Sequence, residues 1–569
     1  MSILIRFRTR DGMLRIPTNE DSKFKVVLDD LVNKISCKDL DEIYIGIAPN
    51  TKGEVASSIC DRTVKDLGLK NGELLFVNYQ AIPAAAPTPL KSSINKSTIQ
   101  IATGLVPPHI NKSIGPLSVK QLPVDDLLDG QDGLIKRPQS QLCRHGDKGM
   151  CEYCSLLPPW DKKYREEKGF KHMSYHAHLN ELNEQNKNSS SSYISPLEEP
   201  DYNIDLKCSN GHSPYPRGIC SKCQPPVITL QQQQFRMVDH VEFSDSAILN
   251  TFIESWRLSG VQRFGILYGS YEPFDKVPLG IKAVVEAIYE PPQHGESDGL
   301  TLLPWDNEQQ VDQVAQLLGL YKVGITFTDL TDAGIGNGKV LCKRHKDSYF
   351  LSCLEVLMAS RYQLAHPNVS KHSKTGFFSS KFVTCVISGG LQGDIEPRSY
   401  QVSTSAEALV KADIITASTQ PNQLYINKSD EKRYVPDVFY SKVNEYGLEV
   451  KTNAKPAFPV EFLLVTLLDS FPLEPNPMFE SKFPIENREF LGQLQELSTV
   501  SKVISSTSEN EGRLLVDFHF LTFLLKINVL GPSEFKLLLK FVKERDIQDL
   551  HVLQQSSGWM TLLTILLVT

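Results

Sequence analysis

No run of about 18 apolar residues occurs in this 569-residue chain, so a membrane-spanning helix is not expected. The first residues, Met1-Ser2-Ile3-Leu4-Ile5-Arg6-Phe7-Arg8, also lack an apolar stretch long enough for a signal peptide. Positive charge is short as well. Sixty Lys and Arg against 67 Asp and Glu leave a formal net charge of -7, which argues against bulk nucleic-acid binding. The one basic stretch, Lys162, Lys163, Arg165, Lys168 and Lys171, is broken by Glu166 and Glu167 and reads as a solvated helix face. A disulfide framework is missing too. Six of the eleven cysteines fall in two short-range signatures, and Cys37, Cys60, Cys342, Cys353 and Cys385 are an odd, scattered remainder. That usage predicts a reducing compartment, the cytosol or nucleus.

What is present is metal-binding spacing. Cys143, His145, Cys151 and Cys154 form a Cys-x-His-x5-Cys-x2-Cys run, and Cys208, His212, Cys220 and Cys223 form a Cys-x3-His-x7-Cys-x2-Cys run. Each offers three thiolates and an imidazole, a full tetrahedral shell for Zn²⁺. With four protein ligands no position stays open for water, so two structural ions are expected. Gly149-Met150-Cys151-Glu152-Tyr153-Cys154 answers Gly218-Ile219-Cys220-Ser221-Lys222-Cys223, and Pro-Pro follows each within a few residues, as a duplicated module would. Sequential and cross-braced pairing of the eight ligands are both open. His172, His176 and His178 could substitute for a ligand, although a solvated surface is their expected place.

The length implies about three or four domains, and 41% hydrophobic with 22% charged residues is the balance of a soluble globular protein. Residues 1–79 read as a ubiquitin-like β-grasp. Ile3, Ile5 and Phe7 alternate along a strand, Asp11-Gly12 turns it, Met13 to Ile16 return, and Phe24, Val27, Leu28, Leu31, Val32 and Ile35 share one helix face. Strands at 43–47 and 74–79 flank a turn at 63–69. Residues 80–120 form a flexible linker, because Pro83, Pro87 and Pro89 exclude a helix there. The zinc region spans 121–230, with a polar helix expected over 160–186 and an exposed serine loop at 189–192.

From 231 to 400 the order is α/β. Ile248, Leu249, Phe252, Ile253 and Trp256 mark a helix opened by Ser244 or Asp245, and Val311, Val314, Ala315 and Leu318 mark another capped by Asn307. Strands are expected at 262–269, 281–289, 323–328, 382–388 and 400–403. Residues 401–569 are expected to be mainly helical. Phe535, Leu538, Leu539 and Val542 form one buried face, Gly531-Pro532 separates that helix from 518–529, and the apolar end from Trp559 onward docks on the body.

Taken together, the zinc pair, the β-grasp start and the run Gln231-Gln232-Gln233-Gln234-Phe235-Arg236-Met237-Val238-Asp239-His240-Val241-Glu242-Phe243 resemble the nuclear protein localization protein 4 family, in its fungal form without a further C-terminal Cys-x-x-Cys finger. The resemblance covers nearly the whole chain. It implies a multidomain α+β architecture: a UBX-like β-grasp, paired zinc modules, an MPN-type domain over 231–400 and a C-terminal helical domain. It also implies a ubiquitin-binding adaptor of the AAA+ segregase hexamer, valosin-containing protein. That adaptor works with ubiquitin fusion degradation protein 1 on polyubiquitinated substrates, in ER-associated degradation and nuclear-envelope or transport roles. The expected places are cytoplasm and nucleus, with peripheral association at most at the endoplasmic reticulum and nuclear envelope, and no direct nucleic-acid contact. Segment 231–243 is expected to line a ubiquitin groove.

MPN-type domains include zinc-dependent deubiquitinases, which need a Glu before a Gly-hydrophobic strand, a His-x-His and a downstream Asp. Here Gln262 precedes Phe264-Gly265-Ile266-Leu267, and Phe327 and Asp329 stand at the histidine positions. An amide is no general base and a phenyl ring offers no lone pair. No enzyme is therefore expected, and no catalytic residue is assigned. A deubiquitinase with displaced ligands and a zinc-finger nucleic-acid-binding transport factor are the alternatives. The UBX-type Phe-Pro-Arg turn is also lacking, with Ile47-Ala48-Pro49-Asn50 after the middle strand.

Overall fold

The computed structural model describes residues 2–9, 12–19, 22–32, 43–46, 53–60, 62–68, 74–78, 119–139, 141–146, 149–187, 195–204, 208, 212, 219–430, 433–480, 483–505 and 512–568. The linker up to residue 118, the serine loop 189–192, the Asp11 side of the hairpin turn, Ile35, Cys37 and segment 47–50 lie outside them. The chain divides into two units, 1–105 and 106–569.

In the first unit, Ser2–Thr9 and Gly12–Asn19 form the hairpin that the alternation predicts, with Thr9 opposite Gly12. Leu74–Asn78 pairs in parallel with Ser2–Thr9, a connection that needs a crossover, and the helix Phe24–Val32 supplies it. Across the five-stranded sheet the order is 12–19, 2–9, 74–78, 44–46, 54–55. Ile5, Phe7 and Ile16 meet Phe24, Val27, Leu28 and Leu31 in one apolar core. The short strand Glu54–Val55 and the helix Ala56–Ile59 carry too few apolar residues for the sequence pattern to reveal them.

The second unit is built on an eight-stranded sheet, in the order 464–466, 395–402, 383–389, 321–329, 264–274, 280–289, 240–243, 468–470. Its two outermost strands belong to one segment. Leu464–Thr466 pairs with one edge, at Tyr400 to Val402, and Leu468–Ser470 pairs with the other, at His240 to Glu242. Segment 464–470 thus closes the sheet on itself, covering one edge at 400–402 and the other at 240–242.

The helix Ser246–Ser259 starts at Asp245, whose carboxylate accepts from the Ala247 N–H at 2.8 Å, and buries Leu249, Phe252 and Ile253 against the sheet. Gly265 permits that approach: a Cβ there would stand 2.4 Å from Ile288 Cγ2 and 3.1 Å from Phe252 Cε2. Asn307 does stand at the N-cap of the helix Glu308–Leu318, but its side chain makes no cap bond; Nδ2 donates to the Tyr289 hydroxyl instead, at 3.4 Å. The helix Cys353–Ala365 was not expected.

Residues 401–569 are mainly helical, as expected, but the helices are concentrated after residue 496. The described residues of 497–505 and 512–568 are mostly helical, with Phe518–Ile527, Pro532–Glu544 and Ser557–Val568 among the helices, and they bury Phe535, Leu538, Leu539, Val542 and Trp559 as the periodicity predicts. Among the described residues between 415 and 470, however, seven short strands run. Leu424 and Ile426 are buried while Tyr425 between them is exposed, the period of a half-buried strand. Three-residue strands leave too little alternation to read reliably. One apolar core joins Val311 and Val314 to Phe518, Phe520 and Leu538, so the C-terminal helices and the sheet form a single body. A buried ionic group reinforces the joint, with Arg263 and Arg488 both meeting the Glu290 carboxylate, at 2.6 and 2.5 Å. Among the described residues, no helix is long and apolar enough to cross a membrane.

Candidate metal centres

Each Cys/His block closes on itself. Among the described residues, the ligand atoms of Cys143, His145, Cys151 and Cys154 lie within 4.8 Å of one another, and so do those of Cys208, His212, Cys220 and Cys223. Of the two pairings open in the sequence, the sequential one is what forms. Both blocks present their Cys-x2-Cys pair on the same tight turn. Cys151 O accepts from the N–H of Cys154 (3.1 Å) and Ser155 (2.8 Å), and Cys220 O accepts from Cys223 (3.0 Å) and Gln224 (3.1 Å).

Spacing tests the fit to a metal. Zn–S bonds of about 2.3 Å in a tetrahedron put sulfurs about 3.8 Å apart. Cys151 Sγ stands 3.7 Å from Cys143 Sγ and 3.8 Å from Cys154 Sγ, and Cys208 Sγ stands 3.9 Å from Cys220 Sγ. His145 Nε2 lies 3.0 Å from Cys154 Sγ, and His212 Nε2 lies 3.4 Å from Cys220 Sγ. The Cys151 N–H points at Cys154 Sγ at 3.3 Å, as it would at a thiolate. Three sulfurs and an imidazole suit a soft or borderline ion and exclude a Ca²⁺ or Mg²⁺ cage of oxygens. The donor sets fit Zn²⁺.

Two supports were invisible in the sequence. Arg137 embraces the turn of the first block, with Nε donating to Ser155 O at 2.8 Å, and NH2 to Glu152 O at 2.5 Å and Ser155 Oγ at 2.8 Å. Gly149 lets the His145 ring close in, since a Cβ there would sit 3.0 Å from the His145 Cβ. Around the first block, Leu142, Met150 and Tyr153 are more than half exposed, so an apolar surface sits on the module. No motif announces Arg137; only the fold brings it back to the knuckle.

The three histidines between the blocks are not on a solvated surface, nor do they join either cluster. Gly169, at φ 72°, ends the helix Lys162–Lys168, and the chain then enters the strand Met173–Ser174 and the helix Tyr175–Lys187. That break turns the histidines inward. His172 Nδ1 meets Gln233 O at 2.9 Å, His178 stacks on Phe235 at 4.3 Å, and His176 lies between Asp125 and Asp129. Burial pushes His172 and His178 down to about 4. Burial also opposes charge on His176, but the two carboxylates outweigh it and raise its pKa.

Segment 231–243 runs inward as well. From Phe235 to Val241 every side chain is buried, and only Gln231, Gln232 and Gln234 remain exposed. That leaves the glutamines, and not the following residues, as the surface this segment can offer to a groove.

At the rim of the closed sheet, Gln262 is 3% exposed and fully bonded. Its Nε2 donates to Ser297 O and Leu330 O, both at 2.7 Å, and its Oε1 accepts from Thr328 Oγ1 at 2.8 Å and the Leu330 N–H at 3.1 Å. Phe327 is buried. Asp329 ion-pairs with Lys343 at 2.9 Å and Arg344 at 2.8 Å. Burial works to raise the Asp329 pKa, and the two cations overcome it and lower it.

The sequence pattern of the NPL4 family matches residues 263–567, and the pattern of that family's zinc binding region matches residues 119–260. The chain belongs to the NPL4 family. It is 65% identical over 563 residues to the nuclear protein localization protein 4 of Debaryomyces hansenii, covering 97% of this chain and 99% of that one. To its counterparts in Candida albicans and Saccharomyces cerevisiae it is 55% and 52% identical, each over 99% of both chains. Both Cys/His clusters of this NPL4-family chain lie inside the stretch matched by the zinc binding region.

Proposed function

We propose that the chain is a non-enzymatic adaptor that, with ubiquitin fusion degradation protein 1, brings polyubiquitinated substrates to the AAA+ segregase hexamer for unfolding or extraction. On this reading residues 2–78 are a UBX-like β-grasp, the eight Cys and His ligands hold two structural zinc ions, and the closed sheet is an MPN-type domain without a catalytic metal. The adaptor works in cytoplasm and nucleus and reaches the endoplasmic reticulum and nuclear envelope peripherally; the names of its relatives favour the nuclear part.

One contrast carries the reading. Metal-ligand sets with four protein donors each stand where they shape a surface, while Gln262, Phe327 and Asp329 at the sheet rim are committed to the fold. A zinc ion held by four side chains organises its loop and has no free position for substrate. With Leu142, Met150 and Tyr153 exposed around it, the first module suits docking onto the segregase.

The test is incubation of the purified chain with polyubiquitin, with and without the partner subunit and added zinc. Retention without cleavage is the expected result. Failure to retain ubiquitin chains in either form overturns the adaptor reading, and metal-dependent cleavage overturns the non-enzymatic one.

A further inference from the structure

The first metal module projects from a loop, residues 130–174, and both stems of that loop return to one buried ionic hub. From the leading stem, the helix Pro123–Asp129 brings Asp125 and Asp129. The trailing stem brings His176, whose Nε2 is 3.0 Å from Asp125 Oδ1 and whose Nδ1 is 3.2 Å from Asp129 Oδ1. The body of the second unit brings Lys381, 2.8 Å from Asp125 Oδ2, with Lys371 at 2.8 Å and His372 at 3.3 Å from Asp129 Oδ2. Asp125, His176 and Lys381 are each 2 or 3% exposed. Lys381 also donates to Asn368 Oδ1 and lies over the Tyr175 ring at 5.4 Å.

This hub holds together three parts of the chain that no disulfide links among the described residues. Beyond it the leading stem stays paired to the module. Ile135 and Leu157 exchange backbone hydrogen bonds at 2.8 and 3.1 Å, and Arg137 grips the Cys151 turn. An apolar contact of Val124 and Leu128 with Leu279 and Ile281 lies beside the hub, but such contacts tolerate sliding, whereas a histidine held at both nitrogens fixes direction. Displacing one member of a group this deeply buried leaves an uncompensated charge, so the arrangement that pairs them all is strongly preferred.

We propose that Asp125, Asp129, His176 and Lys381 form a staple that sets the orientation of the first metal module on the body, and that these are positioning residues for its docking. The staple itself stands on the geometry. Its consequence for docking rests on the reading of the first module as a segregase contact.

The experiment uses the full chain as Asp125→Asn, His176→Gln and Lys381→Met variants, read by hydrogen exchange, zinc content and affinity for the segregase. Amides in 133–172 should exchange at least tenfold faster, while those in 264–289 and the zinc content stay unchanged, and segregase affinity should fall by tenfold or more. Unchanged exchange in 133–172, or a rise spread evenly over 119–568, overturns the staple. Loosened exchange with unchanged affinity supports the staple and overturns the docking role of the module. Should the core variants fail to fold, Lys371→Ala removes only the half-exposed partner of Asp129 and should loosen the same segment to a smaller degree; no change there again overturns the staple.

Discussion

The Thr328 hydroxyl donates to Gln262 Oε1 at 2.8 Å, inside a set of four hydrogen bonds that occupies the whole Gln262 amide. Two of the four need an N–H donor, because they end on the carbonyls of Ser297 and Leu330. On the proposed reading Gln262→Glu supplies the residue type of an active isopeptidase, but it points a carboxylate oxygen at two carbonyls. Loss of those bonds in a buried site should cost roughly 2–4 kcal/mol, seen as a lower midpoint in urea, with no gain of cleavage.

Because each cluster gathers its own four ligands, the two ions should be lost independently. Cys151→Ser should lower bound zinc from two to one per chain, and Cys220→Ser should do the same by emptying the other module. Metal analysis of purified variants checks this. Loss of both ions from either single variant contradicts self-contained modules.

Glu407 gives the chain a pH dependence of definite sign. Burial raises its pKa to about 8; the hydrogen bonds from Gln363 and Ser379 oppose the rise, and Glu199 adds to it. The folded state therefore keeps a proton that the unfolded chain releases near its ordinary value of about 4.3. Below that value the group contributes its full stability, which then falls as pH rises and is gone above about 8, a span of about 5 kcal/mol. Glu407→Gln keeps the acceptor oxygen and should flatten denaturant midpoints measured between pH 5 and 8.

Leu538 is fully buried in the core that joins the C-terminal helices to the sheet. Leu538→Ala should destabilise by about 2–5 kcal/mol. Since the core is shared, the loss should appear as a shift of one transition for 264–568, and a separate early transition of the C-terminal helices would show that they fold alone.

Spacing made the two ligand sets legible, because metal chemistry dictates residue type and separation together. The amphipathic helices at 246–259, 308–318 and 532–544 were legible for a similar reason, each presenting one apolar face. The helix Cys353–Ala365 was not, since Ser360 and Gln363 are buried along with Val356 and Leu357 and no polar face remains. Its capping box, Ser352 with Glu355, was the signal available. The inward histidines hid for another reason. Their partners Asp125, Gln233 and Phe235 are brought to them by the fold, and a polar side chain in a polar stretch gives no hint that it is buried.

Closure of the sheet by segment 464–470 has a consequence for biosynthesis. Strands 240–243 and 395–402 leave the ribosome with unpaired edges, and both wait for the same short piece of chain. At about 5–20 residues per second, synthesis of the intervening residues 403–463 leaves both edges bare for several seconds. During that interval they are templates for pairing with any neighbouring strand. A nascent chain halted before residue 464 should therefore bind chaperones at these two edges, and the full chain, with segment 464–470 paired to both, should not.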